Sequence, residues 1–299
     1  MHNTLGIIIY LSVIYLLAYN TIYLTRVQKI AISTFQLIKI NLVSSFYGLF
    51  LPGSISSSAV RWYKLSKFGN KVDSVAVVLF GRFLETFMLI YIGIIFLLPS
   101  LIVQEKYQFV LITVFALSLL ILSYVLLLYP PSLIFFEKTL KLFPFPALIK
   151  NFLSKFFESM HKFQKLTLKE NIKILSLLFC YHLITVLTFY LFARSLNINI
   201  SFSDIAWIRS ATVLLSMFPV SFAGLGIREG SLIFILGIYK IPPGEAIAYS
   251  FLLFSLTILM SISGGLIELS DFLSVKNARY QSKETITSIE AIKNMTPVS

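Results

Sequence analysis

Leu51-Pro-Gly-Ser-Ile-Ser-Ser-Ser-Ala-Val-Arg61 and Phe218-Pro-Val-Ser-Phe-Ala-Gly-Leu-Gly-Ile-Arg228 are two small-residue breaks inside long apolar runs. Aligned, they share Pro52 with Pro219, Ser54 with Ser221 and Arg61 with Arg228. Leu51, Ile55 and Val60 face Phe218, Phe222 and Ile227, so the apolar positions agree as well. Each break follows an apolar run that opens on Ile-Ser, Ile32-Ser33 and Ile200-Ser201. Apolar segments interrupted by Gly and Pro in corresponding halves point to the binding region of a transporter built from repeats. The plainer reading is two loops whose prolines stop helices. The arginine that closes each copy favours the first.

Working outward, the composition sets the class. The chain is 57% hydrophobic and 13% charged, with a mean hydropathy of +0.86. Soluble domains carry roughly 25% charged residues, so this is an integral membrane protein. One cysteine, Cys180, excludes an internal disulfide, and the three histidines show no metal-ligand spacing. A net charge of +12 fits loops facing anionic lipid better than nucleic acid.

The hydropathy pattern predicts an all-α helical bundle, with one membrane domain over 1–275. Spans are expected near 5–24, 74–98, 109–128, 174–196 and 245–269. Re-entrant segments are expected near 32–67 and 204–239. Asp73 or Ser74 is expected to cap the third apolar helix and Pro99 to end it. Between Pro130 and Lys173, lysines interleave with Phe135, Phe136, Phe152, Phe156, Phe157 and Phe163. Residues 132–173 therefore read as amphipathic helices on the membrane surface, broken near Pro144 and Pro146, with the phenylalanines meeting acyl chains. The tail over 276–299 is polar and expected to be loose. The first span has no basic start and no cleavage signature, so it is expected to stay in the membrane.

Charge placement predicts the topology. Regions 25–30, 61–73, 130–173 and the tail hold 18 of the 25 basic residues. If both interrupted segments return to the side they entered from, all four regions lie inside. Three spans then separate the two hairpins, and an odd number makes them an inverted repeat. This places the N-terminus outside, the C-terminus in the cytoplasm and the protein in the cell membrane.

Some charges sit where the membrane opposes them, at about 2.5–3.5 kcal/mol each at mid-bilayer. Arg82 and Glu85 share one helix face, either as a self-neutralising pair or as a tether that leaves the arginine fork for an anion. Arg228 and Glu229 follow Gly224 and Gly226 at the start of a helix, where anions are favoured. Arg61 stands at the matching place in the first copy, without an adjacent Glu. Lys39, Arg61, Arg82, Arg209 and Arg228 face only Glu85 and Glu229, and this excess of buried cation calls for an anionic partner. The anion a bilayer supplies is a lipid phosphate; the alternative is side chains that snorkel to the interface with no ligand. Asp204 and Glu268 lie near segment ends and are expected to be solvated. His182 reads as a packed helix residue rather than a proton relay, and Gly264-Gly265 as close helix packing. Ser56, Ser57 and Ser58 have no His or Asp constellation beside them, and no P-loop occurs, so no enzyme activity and no cofactor are expected.

The run from Leu51 to Arg61, Gly81-Arg82-x-x-Glu85, Phe218-Pro-Val-Ser-x-x-Gly224-x-Gly226-Ile-Arg228-Glu229 and Pro243-x-x-Ala246 resemble the flippase-like family. That family is the transmembrane region of lysylphosphatidylglycerol synthases. The resemblance spans roughly residues 30–270. It implies a stand-alone member that moves lipid without the soluble aminoacyl-transfer domain. Where the family has Gly-Gly-Asp this chain has Ser56-Ser57-Ser58, and the family begins with a further N-terminal span.

The resulting expectation is a lipid flippase-like protein that binds an aminoacylated phospholipid or a polyprenyl-phosphate lipid. Arg61, Arg82, Glu85, Arg209, Arg228 and Glu229 would form the head-group site, on a backbone shaped by Pro52, Gly53, Pro219, Gly224 and Gly226. The alternative is a scaffold that recruits a lipid- or glycan-modifying enzyme through the basic 132–173 surface. A membrane transferase using Glu85 or Glu229 is a weaker third reading.

Overall fold

A computed structural model describes residues 2–51, 55–103, 105–141, 143, 145–217 and 226–295. Among these residues there are eleven helices and no strand. In chain order they are α1 (His2–Val27), α2 (Thr34–Phe50), α3 (Ile55–Leu65), α4 (Lys71–Val103), α5 (Tyr107–Leu128) and α6 (Pro130–Lys141). Then follow α7 (Ala147–Phe163), α8 (Leu168–Ser195), α9 (Phe202–Ser216), α10 (Ile227–Ile238) and α11 (Pro243–Met295). Four stretches are long and apolar enough to cross a membrane: α4, α5, α8 and Pro243–Ser274 of α11. The expected spans beginning near 74, 109, 174 and 245 fall within them, and the one at 5–24 lies within α1. The protein is a multi-pass helical membrane protein.

The interrupted segments fold into two helix pairs, α2 with α3 and α9 with α10. Their Ile-Ser openings are helix starts. Ser33 caps α2, accepting from the Gln36 N–H at 3.2 Å while Gln36 Oε1 accepts from the Ser33 N–H at 2.9 Å. Ser201 caps α9, accepting from the Asp204 N–H at 3.0 Å. The helices before them also end alike. Lys29 and Asn197 both have positive φ, 56° and 58°. Ile30 and Ile198 then donate back to the Thr25 and Ala193 carbonyls, at 2.9 and 3.0 Å.

The packing of the first four helices matches that of the last four. α2 lies on α11 and α9 on α4; α1 meets α2 as α8 meets α9; α3 meets α4 as α10 meets α11. Glycine permits the tight seams. A Cβ on Gly93 of α4 would lie 2.7 Å from the Ser210 Cβ of α9. One on Gly264 of α11 would overlap the Leu42 carbonyl of α2, and one on Gly265 would press on the Phe46 ring. The pairs open toward opposite ends of α4. Phe202, at the start of α9, packs on Phe96 with ring centres 5.8 Å apart, whereas Trp62 of α3 donates to the Lys71 carbonyl at 3.0 Å.

The helix α7 ties one end of the bundle together. Gln28 donates to the Ser159 carbonyl at 2.7 Å, and Gln164 to the Leu127 carbonyl at 3.0 Å. Asp73 accepts from Ser159 at 2.6 Å and from Lys162 at 2.9 Å. Regions 25–30, 61–73 and 130–173 are thereby gathered at the same end. Asp73 is thus a tether between helices rather than a cap, and α4 starts earlier, at Lys71, where Asn70 Oδ1 accepts from the Val72 N–H at 2.8 Å.

Other expectations change too. Pro99 lies inside α4, which runs on to Val103; a proline removes one helix bond, and α4 continues past it. The surface segment is two helices, α7 starting just after Pro146 (Pro144 lies outside the described residues), but its phenylalanines divide. Phe135, Phe136 and Phe152 are exposed, whereas Phe157 and Phe163 are buried, Phe163 stacking on Phe80 at 4.3 Å. Asp204 is partly buried and accepts from the Tyr239 hydroxyl at 2.7 Å and from the Trp207 indole at 3.3 Å, closing the open end of α9 and α10. Glu268 pairs with Lys64 and accepts from Tyr47 at 3.3 Å. The tail continues α11 as helix to Met295, since neither Gly nor Pro interrupts the chain between Gly265 and Pro297.

Candidate functional site

The expected arginines line two cavities on either side of a shared wall. The first holds about 210 Å³ and is bordered by α1, by Asn41, Leu42 and Ser45 of α2, and by Arg61, Arg82 and Glu85. The second holds about 250 Å³ and is bordered by Arg209, Thr212 and Ser216 of α9, Arg228 of α10, and residues of α8 and α11. Tyr181 of α8 and Thr257 of α11 border both.

In the first cavity one carboxylate serves two arginines. Glu85 lies 3.4 Å from Arg61 Nη1 and 3.9 Å from Arg82 Nη1. The expected i,i+3 pair is therefore the longer contact, and the closer one comes from α3. The arginine that had no carboxylate beside it in sequence finds one on α4, the next helix. At 3.9 Å the Arg82 contact is beyond hydrogen-bond length. The Arg82 side chain is also the most exposed of the three, at 37%. Its fork of donors points to a cavity that carries one excess positive charge among Arg61, Arg82 and Glu85.

The second cavity holds its arginines more firmly. Arg228 donates to Glu229 Oε1 from Nη2 at 3.0 Å and from Nε at 3.3 Å, and its guanidinium lies 4.7 Å from the Phe254 ring centre. Glu229 also accepts from the Gly226 N–H and, at 3.1 Å, from the Ser250 hydroxyl. Gly226 has φ +85°, a conformation glycine takes without strain. The start of α10 is thus satisfied by its own carboxylate, where the sequence pointed to an open anion-binding end.

Arg209 is buried at 4% exposure and is held from α8. Its Nη1 lies 3.3 Å from His182 Nδ1, and its guanidinium 5.5 Å from the Phe189 ring centre. His182 Nε2 lies 3.0 Å from the Glu85 carbonyl. A carbonyl only accepts, so Nε2 carries the proton and Nδ1 accepts from Arg209. His182 is therefore a packed connector between the Glu85 turn and Arg209, as its lone place on a helix suggested.

Six expected site residues, Arg61, Arg82, Glu85, Arg209, Arg228 and Glu229, thus fall into two clusters. Pro52, Gly53, Pro219 and Gly224 lie outside the described residues, as do Ser221 and Phe222. Sequence reasoning passed over Asn41, Thr212, Tyr181 and Thr257. Asn41 interrupts the apolar run of α2; the others are ordinary residues on apolar helices, and only packing brings them to a cavity.

Fold and site define a multi-pass helical membrane protein with two arginine-lined cavities between paired helices. The lysylphosphatidylglycerol synthase TM region family matches residues 4–264, and the chain belongs to that family. Membership and fold together fit a lipid-related membrane protein. No curated protein and no solved structure matches the chain.

Proposed function

We propose that the protein binds the phosphate-bearing head group of an anionic lipid at its arginines and passes that lipid between the leaflets. One observation carries this reading: two cavities, each lined by two arginines, share Tyr181 and Thr257 as a common wall. An arginine fork matches the geometry of a phosphate. The repeat supplies the route. Matching caps at Ser33 and Ser201, matching helix ends at Lys29 and Asn197, and exchanged packing on α4 and α11 support two halves related by inversion. One half then serves each leaflet. The basic end tied by α7 is the cytoplasmic one by the positive-inside bias, in the cell membrane, with the N-terminus outside. The protein acts by binding and translocation, not by catalysis.

The test is reconstitution of the full chain in liposomes, with a fluorescent anionic phospholipid scored by quencher access to each leaflet. Arg82→Ala and Arg228→Ala are expected to lose translocation while keeping wild-type helicity. Neutralising Lys150, Lys155, Lys165 and Lys169 is expected to leave it intact.

A scaffold reading keeps one supporting observation. Lys138, Lys150, Lys155, Lys165, Lys169 and Lys173 are all exposed on the α6–α8 surface. It would gain if the lysine changes abolished recovery of a lipid- or glycan-modifying enzyme while the arginine changes left transport untouched.

A further inference from the structure

We propose that Asn41 reads the head group in the first cavity, hydrogen-bonding a neutral polar group carried beside the phosphate that Arg61 and Arg82 hold. This deepens the lipid-site reading and rests on it. Asn41 is 6% exposed, on the α2 wall of the cavity. Both amide atoms, Oδ1 and Nδ2, are buried and have no hydrogen-bond partner. Its backbone carbonyl is engaged, accepting from the Ser45 hydroxyl at 3.0 Å. A shielded amide with neither donor nor acceptor satisfied is unfavourable, and a leucine, of the same branched outline, would leave no polar atom unmatched. The empty arrangement is thus one that a ligand relieves, once the side chain turns from the wall toward the cavity it borders.

The chemistry of the amide selects the ligand. Arginine offers donors alone, which suits phosphate oxygens. An amide adds an acceptor, which a phosphate oxygen does not use and a hydroxyl does. The cavity is therefore matched to a phosphate with hydroxyls nearby, as on a glycerol or sugar head group, over a bare phosphate. The second cavity repeats the feature. Thr212, 2% exposed on the α9 wall beside Arg209 and Arg228, has a hydroxyl with no partner. Two cavities of different residues thus share one plan: arginines for the anion and an unmatched neutral group next to them.

The experiment compares phosphatidylglycerol with phosphatidic acid, titrated into nanodiscs holding the full chain and read by native mass spectrometry. Wild type is expected to prefer phosphatidylglycerol roughly three- to tenfold. Asn41→Leu is expected to erase that preference, to keep phosphatidic acid binding, and to raise the unfolding temperature. Asn41→Ala, which only trims the side chain, decides the preference if the leucine variant does not fold. A preference retained in a folded variant, or a lower unfolding temperature for Asn41→Leu, overturns the role of Asn41. Equal binding of both lipids by wild type also overturns it while leaving the site reading intact. Binding of neither lipid overturns the site reading itself.

Discussion

Arg61 of α3 and Arg228 of α10 occupy corresponding places in the two halves, yet the carboxylates beside them are spent differently. Glu85 sits between Arg61 and Arg82 at 3.4 and 3.9 Å, engaging both loosely. Glu229 sits on Arg228 at 3.0 Å and takes further bonds from Gly226 and Ser250. On the proposed reading, the first cluster exchanges its carboxylate for a phosphate with little loss. The second is locked by a carboxylate that also caps α10, and its other arginine is held by His182. What the halves keep in common is one arginine on the second helix of each pair, Arg61 on α3 and Arg228 on α10. What they do not keep is how tightly each cation is held, so the two cavities are expected to hold the same anion with different strength.

The seams on which this comparison stands give the largest expected effects. Gly264→Ala puts a methyl into the Leu42 backbone, which cannot move without moving α2, and is expected to cost more than about 3 kcal/mol of stability. Gly93→Ala meets the side chain of Ser210 instead, and about 1–2 kcal/mol is expected. Thermal unfolding in detergent measures both. Equal losses would mean that the α2–α11 and α4–α9 seams are built alike and that the halves differ only at their arginines.

The carboxylates come next, and here the direction differs between the halves. Glu229→Ala removes the partner of Arg228, the acceptor for Gly226 and that for Ser250, and is expected to destabilise by about 2–3 kcal/mol. Glu85→Ala breaks longer contacts to partly exposed arginines, so less than about 1 kcal/mol is expected. It also leaves two cations without a local anion, so an anionic lipid should be held about tenfold more tightly and turned over more slowly. Lipid retention on native mass spectrometry and translocation in liposomes read the two effects. If Glu85→Ala loosened lipid instead, the carboxylate would be a ligand contact and not a placeholder.

How far these features were legible depends on the distance over which each was decided. The Ile-Ser pairs marked the starts of α2 and α9 because capping is settled within four residues. Arg228 and Glu229 are neighbours in sequence and pair as neighbours. Arg61 and Glu85 are 24 residues apart, and their contact exists only because α3 folds back onto α4. Asp73 carried a correct local signal for a cap, which a longer-range bond to α7 overrode. Phe157 and Phe163 followed the same course: the amphipathic pattern was present, but α7 turns part of its apolar face onto α4 rather than to lipid. Asn41 was the least legible, since its significance lies in the partners it lacks.

The smallest expected effect concerns His182, whose bonds reach from one cluster to the other. His182 donates to the Glu85 carbonyl and accepts from Arg209, so a replacement must do both. Glutamine has a donor and an acceptor on one terminal amide and can span the same gap. His182→Gln is expected to hold lipid in the second cavity within about twofold of wild type. His182→Leu removes the acceptor for Arg209 Nη1 and is expected to weaken binding there roughly three- to tenfold. Both variants are best read in an Arg82→Ala background, where retained lipid reports the second cavity. If glutamine fails as badly as leucine, the ring acts by its shape against Tyr181 rather than by its bonds, and the clusters are joined by packing alone.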